Sequence, residues 1–200
     1  MYEKYQTGAL VLGNREMGEA DRVVVLFTRD FGLVRARASS IRTERSKMRY
    51  AIQDYARAEV SLVKGKRGWR LAGATALKPA MGSRKCISTF ARIAELTIRL
   101  VHGEEKNDYL FAVLAEAHDA LMSAGGGSSF GGRESSTIIP TIEIVCVARV
   151  LYALGYLSTE ALETALFTHT AYEHEHVLEA EAKRDQILSS INKAIAETHL

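Results

Sequence analysis

The chain has 200 residues, 47% of them hydrophobic and 25% charged, with two cysteines and a net charge of +2. That composition suits a soluble globular protein with enough chain for a real core, as one large domain or two small ones. No apolar run reaches the roughly 20 residues of a membrane-spanning helix.

The near-neutral total hides a split. Residues 1–80 hold 16 Lys and Arg against 8 Asp and Glu, and residues 81–200 hold 10 against 16. A basic half steers a polyanion whatever the rest of the chain carries. The start of the chain, Met1-Tyr2-Glu3-Lys4-Tyr5, lacks the basic and apolar regions of a secretory signal, so a cytoplasmic protein is expected. Cys86 and Cys146 stand far apart, as two buried thiols rather than a disulfide framework or a zinc site.

Residues 5–13 read as a first strand, followed by a turn through Asn14-Arg15-Glu16-Met17-Gly18. Residues 22–28 are rich in Val and Phe and form a second strand. The connection Arg29-Asp30-Phe31-Gly32 is short and holds the Gly that a hairpin loop needs at positive φ. In 33–38, apolar and basic residues alternate, so Arg35 and Arg37 share one face and Val34, Ala36 and Ala38 the other. Residues 39–50 crowd Arg42, Arg45, Lys47 and Arg49 into a polar stretch with little periodicity, read as an exposed loop. Alternation returns in 54–63, where Ala56, Ala58, Val60 and Leu62 oppose Tyr55, Arg57, Glu59 and Ser61. A basic turn, Lys64-Gly65-Lys66-Arg67-Gly68, leads to a fifth strand over 69–77. Five short strands predict a small closed barrel, because closure removes exposed sheet edges.

From about residue 80 the period becomes helical, with Pro79 and Gly82 marking the change. The predicted division is therefore 1–79 and 80–200. Helices are predicted over 86–101 and 108–122, the second capped by Asn107 or Asp108. Residues 124–133 are rich in Gly and Ser and read as a mobile loop. A helix over 138–154 is apolar on nearly all sides, which places it at the centre of a bundle. Pro140 fits such a helix only in its first turn, and Gly155 suits a left-handed cap. Ser158 or Thr159 begins a short helix through Leu166, and a last helix covers about 173–197.

Candidate chemistry is sparse. His169, His174 and His176 lie near Glu173 and Glu175, but His174 and His176 face different ways on a helix, so a solvated helix start is preferred to a metal site. The chain has no G-x-S-x-G, no G-x-x-x-x-G-K-[ST] and no H-E-x-x-H. Glu16, Glu19 and Asp21 read as turn chemistry with an ion pair to Arg22. Nothing here argues for an enzyme or a cofactor. The basic set remains: Arg35, Arg37, Arg42, Arg45, Lys47, Arg49, Lys64, Lys66, Arg67 and Arg70, interleaved with Tyr50, Tyr55 and Trp69. Lys and Arg release phosphate counterions, and aromatic rings stack on bases, so this set is read as a nucleic-acid-binding face. Each aromatic is open between stacking platform and core. The rival reading is a protein-interaction module whose barrel binds an acidic peptide or RNA.

Several stretches occur in a recognisable order. They are Thr7-Gly8 with Leu10-Val11-Leu12, then Gly18-Glu19-Ala20-Asp21-Arg22, then Leu26-Phe27-Thr28-Arg29 with Gly32. Ser46-Lys47-Met48-Arg49 and the strand pair 55–73 follow. The helical half adds Arg92-Ile93-Ala94-Glu95-Leu96, Asn107-Asp108-Tyr109-Leu110-Phe111 and Leu151-Tyr152-Ala153-Leu154-Gly155-Tyr156. In this order the chain resembles the recombination mediator family RecO over nearly its whole length. The resemblance implies an α+β fold, with an N-terminal five-stranded OB-fold barrel followed by an all-α helical domain. It implies a non-catalytic protein of DNA repair and recombination that binds single- and double-stranded DNA and anneals complementary strands. It also implies partnership with RecR and with the tail of the single-strand-binding protein, and help in loading RecA; the setting is cytoplasmic and nucleoid-associated. Two departures stand out. Many members carry a four-cysteine zinc motif after L-G-Y, where this chain has Leu157-Ser158-Thr159-Glu160, and the chain reads as short at its C-terminal end.

Overall fold

The computed structural model describes residues 3–43, 46–124, 135–158 and 165–198. Five strands come first: β1 (Lys4–Met17), β2 (Asp21–Thr28), β3 (Gly32–Ala38), β4 (Arg57–Gly65) and β5 (Gly68–Lys78). They close into a barrel in the order β1-β2-β3-β5-β4, the OB arrangement. β1 serves two neighbours, pairing antiparallel with β4 over Lys4–Leu10 and with β2 over Ala9–Met17. A bulge between Val11 and Gly13 lets one long strand bend from one partner to the other. The last join is parallel and short: Ala36 registers with Trp69, and Arg37 with Arg70.

The alternation read from the sequence sets the barrel interior. Ala9, Val11, Val24, Leu26, Val34, Ala36, Ala38, Ala58, Val60, Leu62, Trp69 and Leu71 are buried together. Arg35 and Arg37 are exposed, on the opposite face of β3. Gly32 holds φ +60, and a Cβ there would collide with the backbone carbonyl of Glu105. The hairpin loop thus lies directly against the segment Val101–Phe111.

Two expectations need correction in this half. The first turn is not at Asn14–Gly18; β1 runs on to Met17, and the chain reverses at Gly18, φ +68. Ladder pairing with β2, from Gly13↔Val25 to Met17↔Asp21, carries polar residues through a strand that propensity alone would end. The stretch 39–50 is not simply an exposed loop either. Ile41 and Ile52 are fully buried at its two ends, and a one-turn helix α1 (Met48–Ala51) lies between them.

The chain forms two compact units: Met1–Ala80 with Val101–Phe111, and Met81–Leu100 with Ala112–Leu200. Among the described residues the helical region holds α2 (Arg84–Leu100), α3 (Asp108–Ala124), α4 (Ser135–Ala153), α5 (His174–Ala182) and α6 (Arg184–Thr198), with a 3-10 turn at Ala165–Phe167. Asn107 caps α3, its Oδ1 accepting the Leu110 N–H at 2.9 Å. The apolar α4 packs against α2, α5 and α6. It ends in a Schellman arrangement: Gly155 at φ +79, its N–H on the Tyr152 carbonyl, and the Tyr156 N–H on that of Leu151.

Pro140 lies inside α4 rather than in its first turn. The predicted last helix is two, since α5 and α6 are separated at Lys183. No Gly or Pro marks that break, so the apolar period runs across it. The Gly-rich stretch and most of the predicted 158–166 helix lie outside the described residues. Arg149, omitted from the predicted core, is 1% exposed. Its guanidinium donates to the carbonyls of Leu166 and Thr170 at 2.8 Å and Ala171 at 3.3 Å. It also lies over the Tyr172 ring, 4.7 Å from its centroid. Burial pushes the neighbouring Cys146 thiol up to about 12.

Candidate nucleic-acid interface

The short β3–β5 join decides where cations collect. Parallel register sets Arg37 beside Arg70 on the outside and Ala36 beside Trp69 on the inside. Two residues along β3, about 6.6 Å by strand rise, stands Arg35. The β4–β5 turn adds Lys66 and Arg67. These five cations line one groove of about 620 Å³ over the seam, with Met17, Val23 and Val63 among its apolar lining. Like charges held in register are unfavourable. One of them is relieved: Arg37 donates to Asp21 Oδ2 through Nε at 3.0 Å and Nη2 at 2.6 Å. Arg35, Lys66, Arg67 and Arg70 have no carboxylate partner among the described residues.

A second cavity, of about 280 Å³, is lined by Arg22, Ile41, Arg42, Arg49, Tyr50 and Gln53. Arg42 lies 3.4 Å from Glu16 and Arg22 3.9 Å from it, and Glu16 is 62% exposed. Exposed pairs of this kind contribute little and yield easily to a stronger anion. Arg49 covers the Tyr50 ring, its guanidinium carbon 4.6 Å from the centroid.

Residues 1–79 match the family described as Recombination protein O N terminal. Its first 79 residues are a RecO N-terminal domain. The chain is also 28% identical, over 120 residues, to DNA repair protein RecO of Dehalococcoides mccartyi (strain ATCC BAA-2266 / KCTC 15142 / 195). That match covers 58% of this chain and 47% of the relative, so it spans about half of the relative's length.

On this RecO-family barrel the ten expected residues part company. Arg35, Arg37, Lys66, Arg67 and Arg70 meet in the groove, and Arg42 and Arg49 in the second cavity. Lys47 is exposed just before α1 and lines neither. Lys64 is engaged by Glu104 at 2.7 Å and lies over the Trp69 ring at 5.0 Å. The hydrogen bond from Lys64 holds the Glu104 carboxyl below its usual range. Arg45 lies outside the described residues.

Of the acids of the Glu16–Arg22 turn, Glu16 makes the expected pair with Arg22. Asp21 does not pair with Arg22; it accepts the Ser40 N–H at 2.8 Å and both Arg37 donors. The Ser40 bond, and after it Arg37, holds the Asp21 carboxyl below its usual range. Of the three aromatics, Trp69 is 5% exposed and packs with Tyr5 and Phe31, which makes it core. Tyr55 is half-buried, while Tyr50 is 59% exposed. Arg22 and Gln53 escape the sequence patterns. Arg22 sits in a carboxylate-rich turn that makes it look spoken for, and nothing local marks Gln53.

Elsewhere, the His169 and His176 rings stack with centroids 5.3 Å apart, and the His174 side chain lies outside the described residues. With two cysteines in the whole chain, both buried, the residues do not fit the four-cysteine motif of many relatives. No helix among the described residues is long and apolar enough to cross a membrane.

Proposed function

We propose that this protein is a non-catalytic, DNA-binding recombination mediator acting in DNA repair. The observation that carries the reading is the groove at the β3–β5 seam, where four cations without a carboxylate partner among the described residues stand beside a fifth. Such a surface recruits a phosphate backbone through counterion release, without regard to sequence. The functional division is at 79/80, with the barrel gripping DNA and residues 80–200 serving protein contacts. The nucleic-acid-binding residues are Arg35, Arg37, Arg42, Arg45, Lys47, Arg49, Lys64, Lys66, Arg67 and Arg70, with those of the groove foremost.

Holding two strands on a cationic barrel lowers their mutual repulsion and raises their local concentration, which speeds pairing. The likeness of the N-terminal region to RecO supports, as part of this proposal, annealing of single strands and assistance to RecA loading with RecR and the tail of the single-strand-binding protein. The protein then works in the cytoplasm, close to the nucleoid.

The direct test is a mobility shift with labelled single-stranded DNA, RNA and an acidic peptide tipped with an aromatic residue. DNA binding that weakens with salt supports the proposal. Binding of the peptide or RNA with none of DNA replaces it by the protein- or RNA-interaction reading.

A further inference from the structure

The second cavity differs from the seam groove in one respect. The groove's aromatic, Trp69, is 5% exposed and already packed into the core. The groove therefore offers charge to phosphates and no ring to bases. The second cavity has Tyr50, 59% exposed. We propose that Arg22, Arg42, Arg49, Tyr50 and Gln53 form a subsite for an unpaired nucleobase and its phosphate, and that this subsite makes the barrel favour single strands over duplex.

The chemistry of each group fits such a ligand. An exposed ring stacks on any base, and a guanidinium plane does the same, so the Arg49–Tyr50 pair is a two-part platform. Arg49 also donates to the Tyr50 hydroxyl, which limits the ring's freedom before a base arrives. Gln53 brings a donor and an acceptor together, which is what a base edge requires. Arg22 and Arg42 supply charge for the adjoining phosphate, and their shared exposed partner, Glu16, is a weak competitor.

The platform is also fixed in place. Ile41 and Ile52 are fully buried on either side of it. Asn14 donates to the Ile52 carbonyl at 2.9 Å and to Asp54 at 2.7 Å. Duplex DNA keeps its bases paired and stacked and presents only backbone here. A single strand gives up a base at little cost. The groove thus holds DNA of either form, and the Tyr50 subsite tells the forms apart.

The inference rests on the DNA-binding reading, and one experiment separates the two. Fluorescence anisotropy compares labelled oligothymidine, an abasic strand of equal length and a duplex, for the wild type, Tyr50→Ala and Tyr50→Phe. Stacking on one base is worth enough to change affinity roughly 5- to 150-fold. Tyr50→Ala is expected to weaken oligothymidine binding by that factor and to leave the abasic strand and the duplex unchanged, while Tyr50→Phe keeps wild-type behaviour. Because Tyr50 is exposed, the melting temperature is expected to stay put in both variants. Equal weakening for all three ligands, or none for any, overturns the subsite. A wild type that binds none of the three overturns the DNA-binding reading itself.

Discussion

Replacing Arg35 and Arg70 together by Ala removes two of the four groove cations that lack a carboxylate partner among the described residues. Each phosphate contact on a single strand contributes about 0.7 to the slope of log affinity against log salt. Four contacts give a slope near −2.8, and the double variant keeps about −1.4. Between about 50 and 200 mM salt, wild-type affinity is then expected to fall about 50-fold and that of the variant about 7-fold. At the lower salt the variant binds about 60-fold more weakly, and at the higher salt about 10-fold, so the two lines converge. Anisotropy titrations at four salt concentrations measure this. Lys193→Ala, at an exposed position of α6, serves as a control that should follow the wild-type line. Both arginines are exposed strand residues, so the melting temperature should hold. Parallel lines for the double variant and the wild type would refute the placement of phosphates in the groove.

Three further outcomes follow from the same coordinates. Gly32→Ala forces a Cβ into the Glu105 carbonyl at φ +60, and should lower the urea midpoint of the barrel measured by Trp69 fluorescence; an unchanged midpoint contradicts the tight loop contact. Arg149→Lys should destabilise the helical region by more than about 2 kcal/mol in urea titrations followed by circular dichroism, because a compact ammonium cannot span the carbonyls that the guanidinium reaches through Nε, Nη1 and Nη2. Asp21→Asn concerns a carboxyl whose folded pKa is lowered, so its contribution is full above the unfolded value of about 3.9 and is lost as pH falls through the folded one. The melting-temperature gap between wild type and Asp21→Asn should therefore be steady near pH 7 and close below about pH 4; a gap that persists in acid would contradict the assignment.

Local pattern carried most of the barrel into the sequence. Strict alternation in β3 and β4 is enough to say which side chains enter the core, since period 2 leaves no second choice. Charge composition alone pointed to the basic half. What the pattern cannot carry is pairing between distant strands. The meeting of Arg37 with Arg70 is made by a two-residue parallel register, and no spacing in the chain encodes it. For the same reason Asp21, beside Arg22 in sequence, pairs instead with Arg37 across the hairpin. The burial of Ile41 and Ile52 was likewise illegible, because single apolar residues in a basic stretch look like loop. Arg149 was invisible for the opposite reason: in an apolar helix its charge is satisfied by carbonyls from a later segment.

The placement of acids argues that the groove is kept positive for a purpose. Several barrel cations do meet acids: Glu16 reaches both Arg22 and Arg42, Asp21 holds Arg37, and Glu104 holds Lys64. Asp21 also accepts the Ser40 N–H, so one carboxylate holds both Arg37 and the chain just after β3. Among the described residues, none of these acids reaches Arg35, Lys66, Arg67 or Arg70. A surface shaped by solubility alone intersperses both signs. Here the repulsion between Arg37 and Arg70 is moderated at one member and left standing at the other. That is the arrangement expected where the missing negative charge arrives with a ligand rather than from the chain.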